Sequence, residues 1–208
     1  MRFDTVMDLD LLAGSPSLDF ANTVCARGDA IPRDMLGTYA DLLAWCRRAG
    51  TLPSAEMDQF LRRATRFPAI AARRLAEAKR LREAVHAAFS AHAAGDDIPL
   101  QAFDCIRRHV RRAASRRTLA PAPDGGVGWA WESVIGHLDR PHWPLALDAA
   151  CLLTDPERLH RIRVCAGPHC GWLFHDTTKN GSRRWCSAQD CGNRAKVRAY
   201  RQRQRQEP

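Results

Sequence analysis

No stretch of this sequence approaches the ~18 uninterrupted apolar residues of a membrane-spanning helix, which excludes a helical membrane protein. No leader for export is expected either. Met1-Arg2-Phe3-Asp4 is soon followed by Asp8 and Asp10, where a secretory signal needs a basic start and then an apolar run. The expectation is therefore a soluble, cytoplasmic chain whose thiols stay reduced. Nor does the sequence hold a nucleophile elbow, a phosphate loop, a paired-histidine protease motif or a dinucleotide fingerprint. His86, His92, His109, His137, His142 and His160 are scattered. A non-enzyme is expected. Acid is scarce in the last quarter: across residues 161–208 only Asp176, Asp190 and Glu207 oppose eleven Arg or Lys. That segment carries +8 of the chain's +9, so the body is nearly neutral and the tail suits a polyanion such as nucleic acid.

What is present begins with 208 residues, 45% hydrophobic and 26% charged, enough for one good core or two small ones. Most of the chain reads as helix. Residues 17–25 form a short helix capped at Ser15 or Ser17 and ended by Arg27-Gly28-Asp29. Residues 38–49 form a second, stopped by Gly50, and a third runs from Pro53 or Ser54 to about Thr65. The clearest helix follows Pro68, with Leu75, Ala78, Leu81, Val85, Ala88 and Phe89 at helical spacing up to Gly95. Pro99 opens another, with Phe103, Ile106 and Val110 inward and Arg107, Arg108, Arg111 and Arg112 mostly outward. Residues 118–121 and 127–131 flank Asp124-Gly125-Gly126 as a β-hairpin, and a last body helix spans residues 144–153. The arginines of residues 107–117 read as a solvated face partly offset by nearby acids.

The eight cysteines divide into two groups. Cys25, Cys46, Cys105 and Cys151 stand far apart in apolar patterns and behave as small hydrophobes. The other four form two pairs, Cys165 with Cys170 and Cys186 with Cys191, each with four intervening residues and separated by fifteen. Two such knuckles flanking one loop suit a tetrahedral metal, and four thiolates leave no open position, so one structural Zn²⁺ is expected. His169 would have to displace Cys170 to serve instead.

Around these ligands the order is knuckle, strand, polar turn, strand, knuckle, helix, with Trp172 and Phe174 facing Trp185 across the hairpin. So small a module depends on its metal for stability. Asn193 is the natural N-cap of a helix running to about Gln204. Arg194, Arg198, Arg201 and Arg205 recur along one stripe of it, Lys196 and Arg203 widen the face, and Val197 and Tyr200 are free to pack back on the module. Such a face suits phosphates or guanine edges. Arg183, Arg184 and Lys196 serve either that purpose or the anionic metal centre.

These residues resemble the CGNR zinc-finger family, named for the run that stands here as Cys191-Gly192-Asn193-Arg194. The match covers residues 161–203 and includes Gly171-Trp172-Leu173-Phe174 and Arg183-Arg184-Trp185-Cys186, with Thr178, Lys179 and His175 as mild departures. Members pair this finger with an N-terminal domain called ABATE, linked to stress-induced transcription regulation. Its opening Leu-Asp-Phe-x-Asn-Thr motif is similar to residues 18–23. The resemblance implies zinc on Cys165, Cys170, Cys186 and Cys191, and DNA contact by the finger.

The expected architecture is thus α+β: a mostly helical domain over residues 1–157 with a small β-hairpin, then a zinc-ribbon-like treble of hairpin and basic helix over residues 158–208. The expected function is zinc-dependent DNA binding in transcription regulation, through Arg183, Arg184, Arg194, Lys196, Arg198, Arg201 and Arg205. The larger domain would sense a small-molecule effector or form a homodimer, since two-fold operators match two-fold readers. Two alternatives stand beside it: a zinc-stabilised interaction adaptor using Trp172, Phe174 and Trp185, and an RNA-binding protein stacking bases on aromatics. For Asp19, Phe20, Asn22 and Thr23 two readings are open, local hydrogen bonding to backbone or the polar end of a ligand pocket.

Overall fold

A computed structural model describes residues 3–122, 125–132 and 136–205. A short 3₁₀ turn at Val6–Asp8 is closed by a capping box between Thr5 and Asp8. Helix α1 spans Pro16–Ala21, and Val24–Cys25 (β1) pairs antiparallel with Arg33–Asp34 (β2). Helix α1 is therefore shorter than expected, ending before Cys25. Thr23 turns its hydroxyl back onto the Phe20 carbonyl at 2.7 Å, and the β-branched Val24 goes into a strand.

Helices α2 (Tyr39–Arg48), α3 (Ser54–Arg66), α4 (Pro68–Ala94) and α5 (Leu100–Ala114) follow where periodicity and punctuation place them. Thr38 and Asp41 close a capping box on α2, Pro68 opens α4, and Gly95 ends α4 in the left-handed conformation that costs glycine nothing. Strands β3 (Arg117–Pro121) and β4 (Val127–Trp131) pair as expected, with Leu119 opposite Trp129. Asp124, read as part of their turn, lies outside the described residues. Helix α6 runs from His142 to Leu153 and α7 from Pro156 to His160, capped by Asp155. One inward assignment fails on α5. Phe103 is 48% exposed because the helix packs through Ala102, Ile106 and Ala113.

The C-terminal part contributes β5 (Ile162–Val164), β6 (Leu173–His175), a π-helical turn at Ala188–Gly192 and helix α8 (Asn193–Gln204). Its hairpin differs from the expected one. The partner of β6 is the strand before the first cysteine, pairing Ile162 with His175 and Val164 with Leu173. Residues 183–186 are not a strand and join the first knuckle through one backbone bond, Ala166 N–H to the Arg184 carbonyl.

One continuous apolar cluster runs through the whole molecule. It joins Leu18, Phe20, Trp45, Leu81, Val85, Phe89, Leu145 and Leu152 of the helical part to Ile162, Trp172, Leu173 and Phe174 of the cysteine-bearing part. Both faces of β6 are consequently buried, which is why Trp172 and Phe174 do not alternate with a solvated Leu173.

Candidate metal centre and its basic helix

The knuckle at Cys165 follows directly from β5. Gly167 turns the chain so that its N–H points at Cys165 Sγ (3.4 Å), and Cys170 N–H returns to the Gly167 carbonyl (2.9 Å). A Cβ at Gly167 would meet Cys191 Sγ at 3.1 Å, Cys170 Cβ at 3.2 Å and Cys165 Sγ at 3.5 Å, so a side chain there would press the ligand cysteines out of place by a few tenths of an ångström. The second pair enters through Cys186, whose N–H also points at Cys165 Sγ (3.3 Å), and ends on the π turn that carries Cys191.

All four sulphurs lie within 4.8 Å of one another, with Cys170–Cys186 at 3.6 Å and Cys186–Cys191 at 3.7 Å. Zn–S bonds of ~2.3 Å in a tetrahedron require S···S edges of about 3.8 Å, so the donor set fits zinc. Four thiols this close cannot all ionise unaided. Hydrogen bonds from Cys170 and Cys186 depress Cys165, whereas that same neighbour raises Cys170 and Cys186. A divalent cation relieves this conflict by holding all four as thiolates.

Packing around the centre is dense. Trp185 lies against Gly192, where a Cβ would come 3.3 Å from its ring, and carries the Arg184 guanidinium over its face at 5.5 Å. It does not pack across a hairpin on Trp172 and Phe174. Arg183, one of the residues read as a nucleic-acid contact, is bound inward. Its guanidinium stacks on Phe174 at 4.4 Å, donates from Nε to the Trp185 carbonyl at 3.0 Å and also reaches the Cys186 carbonyl. Buried Asp176 holds the intervening turn by accepting from Thr178 Oγ1 (2.6 Å), Thr178 N–H (2.9 Å) and Arg183 N–H (2.9 Å). Burial opposes ionisation there, but these hydrogen bonds win and hold its carboxyl below the usual range.

Helix α8 leaves the centre directly. Its cap is not Asn193, which is already helical. The helical path starts earlier, where the Ser187 hydroxyl accepts the Asp190 N–H at 3.2 Å, and passes through Cys191. No residue of α8 is buried, and Val197 (41% exposed) and Tyr200 (58% exposed) do not fold back. The apolar side of the finger is spent on the helical body, and of the α8 side chains only Ala195 is half-buried. Arg194, Lys196, Arg198, Arg201, Arg203 and Arg205 are exposed, and among the described residues none of them is ion-paired. On and just after α5 the opposite holds, with Arg107, Arg112 and Arg116 paired to Asp104, Asp139 and Glu132.

The Leu-Asp-Phe-x-Asn-Thr segment sits against β6. Asn22 makes two hydrogen bonds with Leu173, Oδ1 accepting its N–H and Nδ2 donating to its carbonyl, both at 2.8 Å. Asp19 Oδ1 accepts Ala13 N–H (2.9 Å), and the Ala13 carbonyl accepts His175 N–H (2.8 Å). Phe20 packs on Trp45 with ring centroids 5.3 Å apart, and Thr23 Oγ1 accepts from Arg82 at 3.3 Å. All four side chains are buried and the three polar ones are engaged inside the protein: Thr23 locally as expected, Asp19 with Ala13, and Asn22 not with neighbouring backbone but with a strand 151 residues away.

Sequence reasoning missed the other half of this junction. Phe3 stacks on Trp172 (5.7 Å, 9°), Trp172 Nε1 donates to the Val24 carbonyl (3.1 Å), His86 Nε2 lies 2.8 Å from the Gly171 carbonyl, and Arg27 N–H donates to the Cys170 carbonyl (3.2 Å). No local pattern marks these residues, because each partner is remote in sequence.

Burial raises the Asp19 carboxyl from its ordinary 3.8 to about 6, against the pull of the Ala13 N–H and with help from the Asp148 charge. At this site the folded chain holds more protons than the unfolded one between those values, so the contribution of Asp19 to stability falls as pH rises from about 4 to about 6. The expected loss is on the order of 2 kcal/mol. The difference in urea midpoint between Asp19→Asn and the parent chain should shift in favour of the variant as pH rises across that window; a constant difference would refute the assignment.

A helical body clamped onto a four-cysteine centre that projects a basic helix defines a zinc-finger protein. A family model described as "Putative stress-induced transcription regulator" (ABATE) matches residues 14–156, and the CGNR zinc-finger model matches residues 161–204. The chain belongs to the ABATE family and carries a CGNR zinc finger at its C-terminal end. No curated protein matches it. Among the described residues no helix is long and apolar enough to cross a membrane.

Proposed function

We propose that the protein regulates transcription by binding DNA through α8, with its zinc centre fixing the helix and its helical body receiving a signal or pairing with a second copy. The observation that carries this reading is the uncovered, acid-free stripe of Arg194, Arg198, Arg201 and Arg205, rooted through Cys191 in the metal centre. Cations placed this way release counterions from a polyphosphate without first breaking internal ion pairs. The reading is of a binding protein, not an enzyme, since four thiolates fill the metal's coordination sphere. Burial of Trp172 and Phe174 in the shared core counts against the adaptor alternative, which leaves of its three anchor rings only the partly buried Trp185.

Selection of bound duplexes from a random pool by zinc-loaded protein, with a chelated control, supplies the DNA for the test. The triple substitution Arg194→Ala, Arg198→Ala and Arg201→Ala should weaken binding about tenfold or more. It should also flatten the salt dependence, at ~0.9 per lost phosphate contact. Zinc content should stay at that of the parent chain. Unchanged affinity would show that α8 is not the reader, and preference for single-stranded RNA over every selected duplex would move the function to RNA.

A further inference from the structure

We propose that Cys170 is an oxidation site: hydrogen peroxide reaches its thiolate through the cleft between helical body and finger, Cys186 closes a disulfide with it, and Cys191 loses its metal at the root of α8. That the loss of this root weakens DNA binding rests on the proposed role of α8; the chemistry at Cys170 does not.

The four ligands are unequally placed. Cys165 and Cys186 are 5% and 1% exposed, and the Gly167 and Cys186 N–H groups both point at Cys165 Sγ. Cys191 borders the cleft, but its Sγ lies under Gly167, where an added Cβ would come within 3.1 Å of it. Cys170 is half-buried, follows the exposed His169 and lines the cleft, which encloses about 230 Å³. A water molecule's share of the liquid is ~30 Å³, so a reactant of peroxide's size has room there. A redox-responsive cysteine needs thiolate character, access and a second thiol nearby. The metal supplies the first, the cleft the second, and Cys186 Sγ, 3.6 Å away, the third.

The chemistry runs in two steps. Cys170 Sγ attacks one oxygen of hydrogen peroxide; the O–O bond breaks, the sulphur becomes a sulfenic acid, and hydroxide leaves. Cys186 Sγ then attacks Cys170 Sγ; the S–S bond forms as the S–O bond breaks, and a second hydroxide leaves. One peroxide has taken two electrons from two thiolates, and two protons from solvent complete two waters. A disulfide spans ~2.05 Å, so the two sulphurs close by about 1.6 Å. The bridge joins the first knuckle to the second, so β6 stays presented to the body. The Cys170 and His169 carbonyls accordingly keep the Arg27 and Gly28 N–H groups. Cys165 and Cys191 remain, and two ligands are too few for a structural site. Cys191 belongs to the π turn that leads into α8, so the loss falls on that helix.

The test treats the zinc-loaded full chain with hydrogen peroxide in thiol-free buffer. A chromogenic chelator follows zinc release, and mass spectrometry of acid-quenched samples maps the first bridge. Expected is a Cys170–Cys186 disulfide that forms in step with zinc release and is reversed by dithiothreitol and added zinc. Ala195→Trp, which fills the cleft from α8, should slow release about fivefold or more. Should that variant hold no zinc, the bridge map still decides. Hydrogen exchange separates oxidation from chelation: the oxidised chain keeps protection at the Arg27 and Gly28 amides while α8 loses it. A first bridge that leaves Cys170 free, oxidation confined to Cys25, Cys105 or Cys151 with zinc retained, or an unchanged rate in zinc-loaded Ala195→Trp overturns the site. Oxidised protein should bind selected DNA about tenfold or more weakly, because its reading helix is no longer held in place. Unchanged DNA affinity after bridging and zinc release overturns the switch. A reduced, zinc-loaded chain that holds no nucleic acid sinks the DNA reading and leaves the Cys170 chemistry standing.

Discussion

Removal of zinc from the full chain is expected to lower its melting temperature by about 10–20 °C and to loosen the N-terminal segment as well as the finger. Structural zinc is worth ~10–16 kcal/mol in isolated finger peptides, comparable to the ~5–15 kcal/mol that holds an entire domain. Here the metal-held knuckles present β6, and β6 supplies Leu173 and Phe174 to the common core and backbone partners to Asn22 and Ala13. A net loss of about 5 kcal/mol at ~2–4 °C per kcal/mol gives the stated shift. Hydrogen exchange followed by mass spectrometry is the sharper readout. The amides of Arg27 and Gly28, which donate to the Cys170 and His169 carbonyls, should lose protection on chelation and regain it on zinc addition. If exchange over residues 13–28 ignores the metal, the two parts are independent and the shared core carries no mechanical coupling.

Asn22→Ala is expected to cost about 2–6 kcal/mol while leaving zinc bound. The substitution strands the N–H and the carbonyl of Leu173, a residue with no exposed surface, and each buried unpaired group costs ~1–3 kcal/mol. Asn22→Asp should not rescue it. A carboxylate can still accept from the N–H but meets the carbonyl oxygen with a second acceptor. Urea unfolding measures the loss, and metal analysis separates undocking from destruction of the centre. A midpoint within experimental error of the parent would mean that water replaces the amide.

The helices and the ligand set were legible in the sequence because their causes are local. Thr38 and Asp41 cap α2 across three residues, Gly95 closes α4 within one turn, and each cysteine pair sits on its own knuckle. What could not be read is where the amphipathic surfaces meet. Asp19, Asn22 and Thr23 are conspicuous as polar residues at an apolar helix, yet the Asn22 partner is 151 residues away and nothing nearby names it. The same reason explains the misplaced hairpin. Residues 183–186 look like a strand beside β6, but the Arg183 guanidinium draws the backbone there into carbonyl contacts, and Ile162–Val164 takes the sheet position. Val197 and Tyr200 mislead in the other direction. Apolar spacing predicts a surface to pack on, and the body has already used it.

The separation between Asn22 and Leu173 has a consequence for biosynthesis. Ribosomes extend chains at roughly 5–20 residues per second, so about 8–30 s pass between the emergence of the two partners. During that interval Phe20, Trp45 and the Asn22 amide have no β6 to cover them, and Cys186 and Cys191, which complete the centre that presents it, have not been made. Maturation of the N-terminal half therefore waits on a metal-held segment translated 151 residues after Asn22.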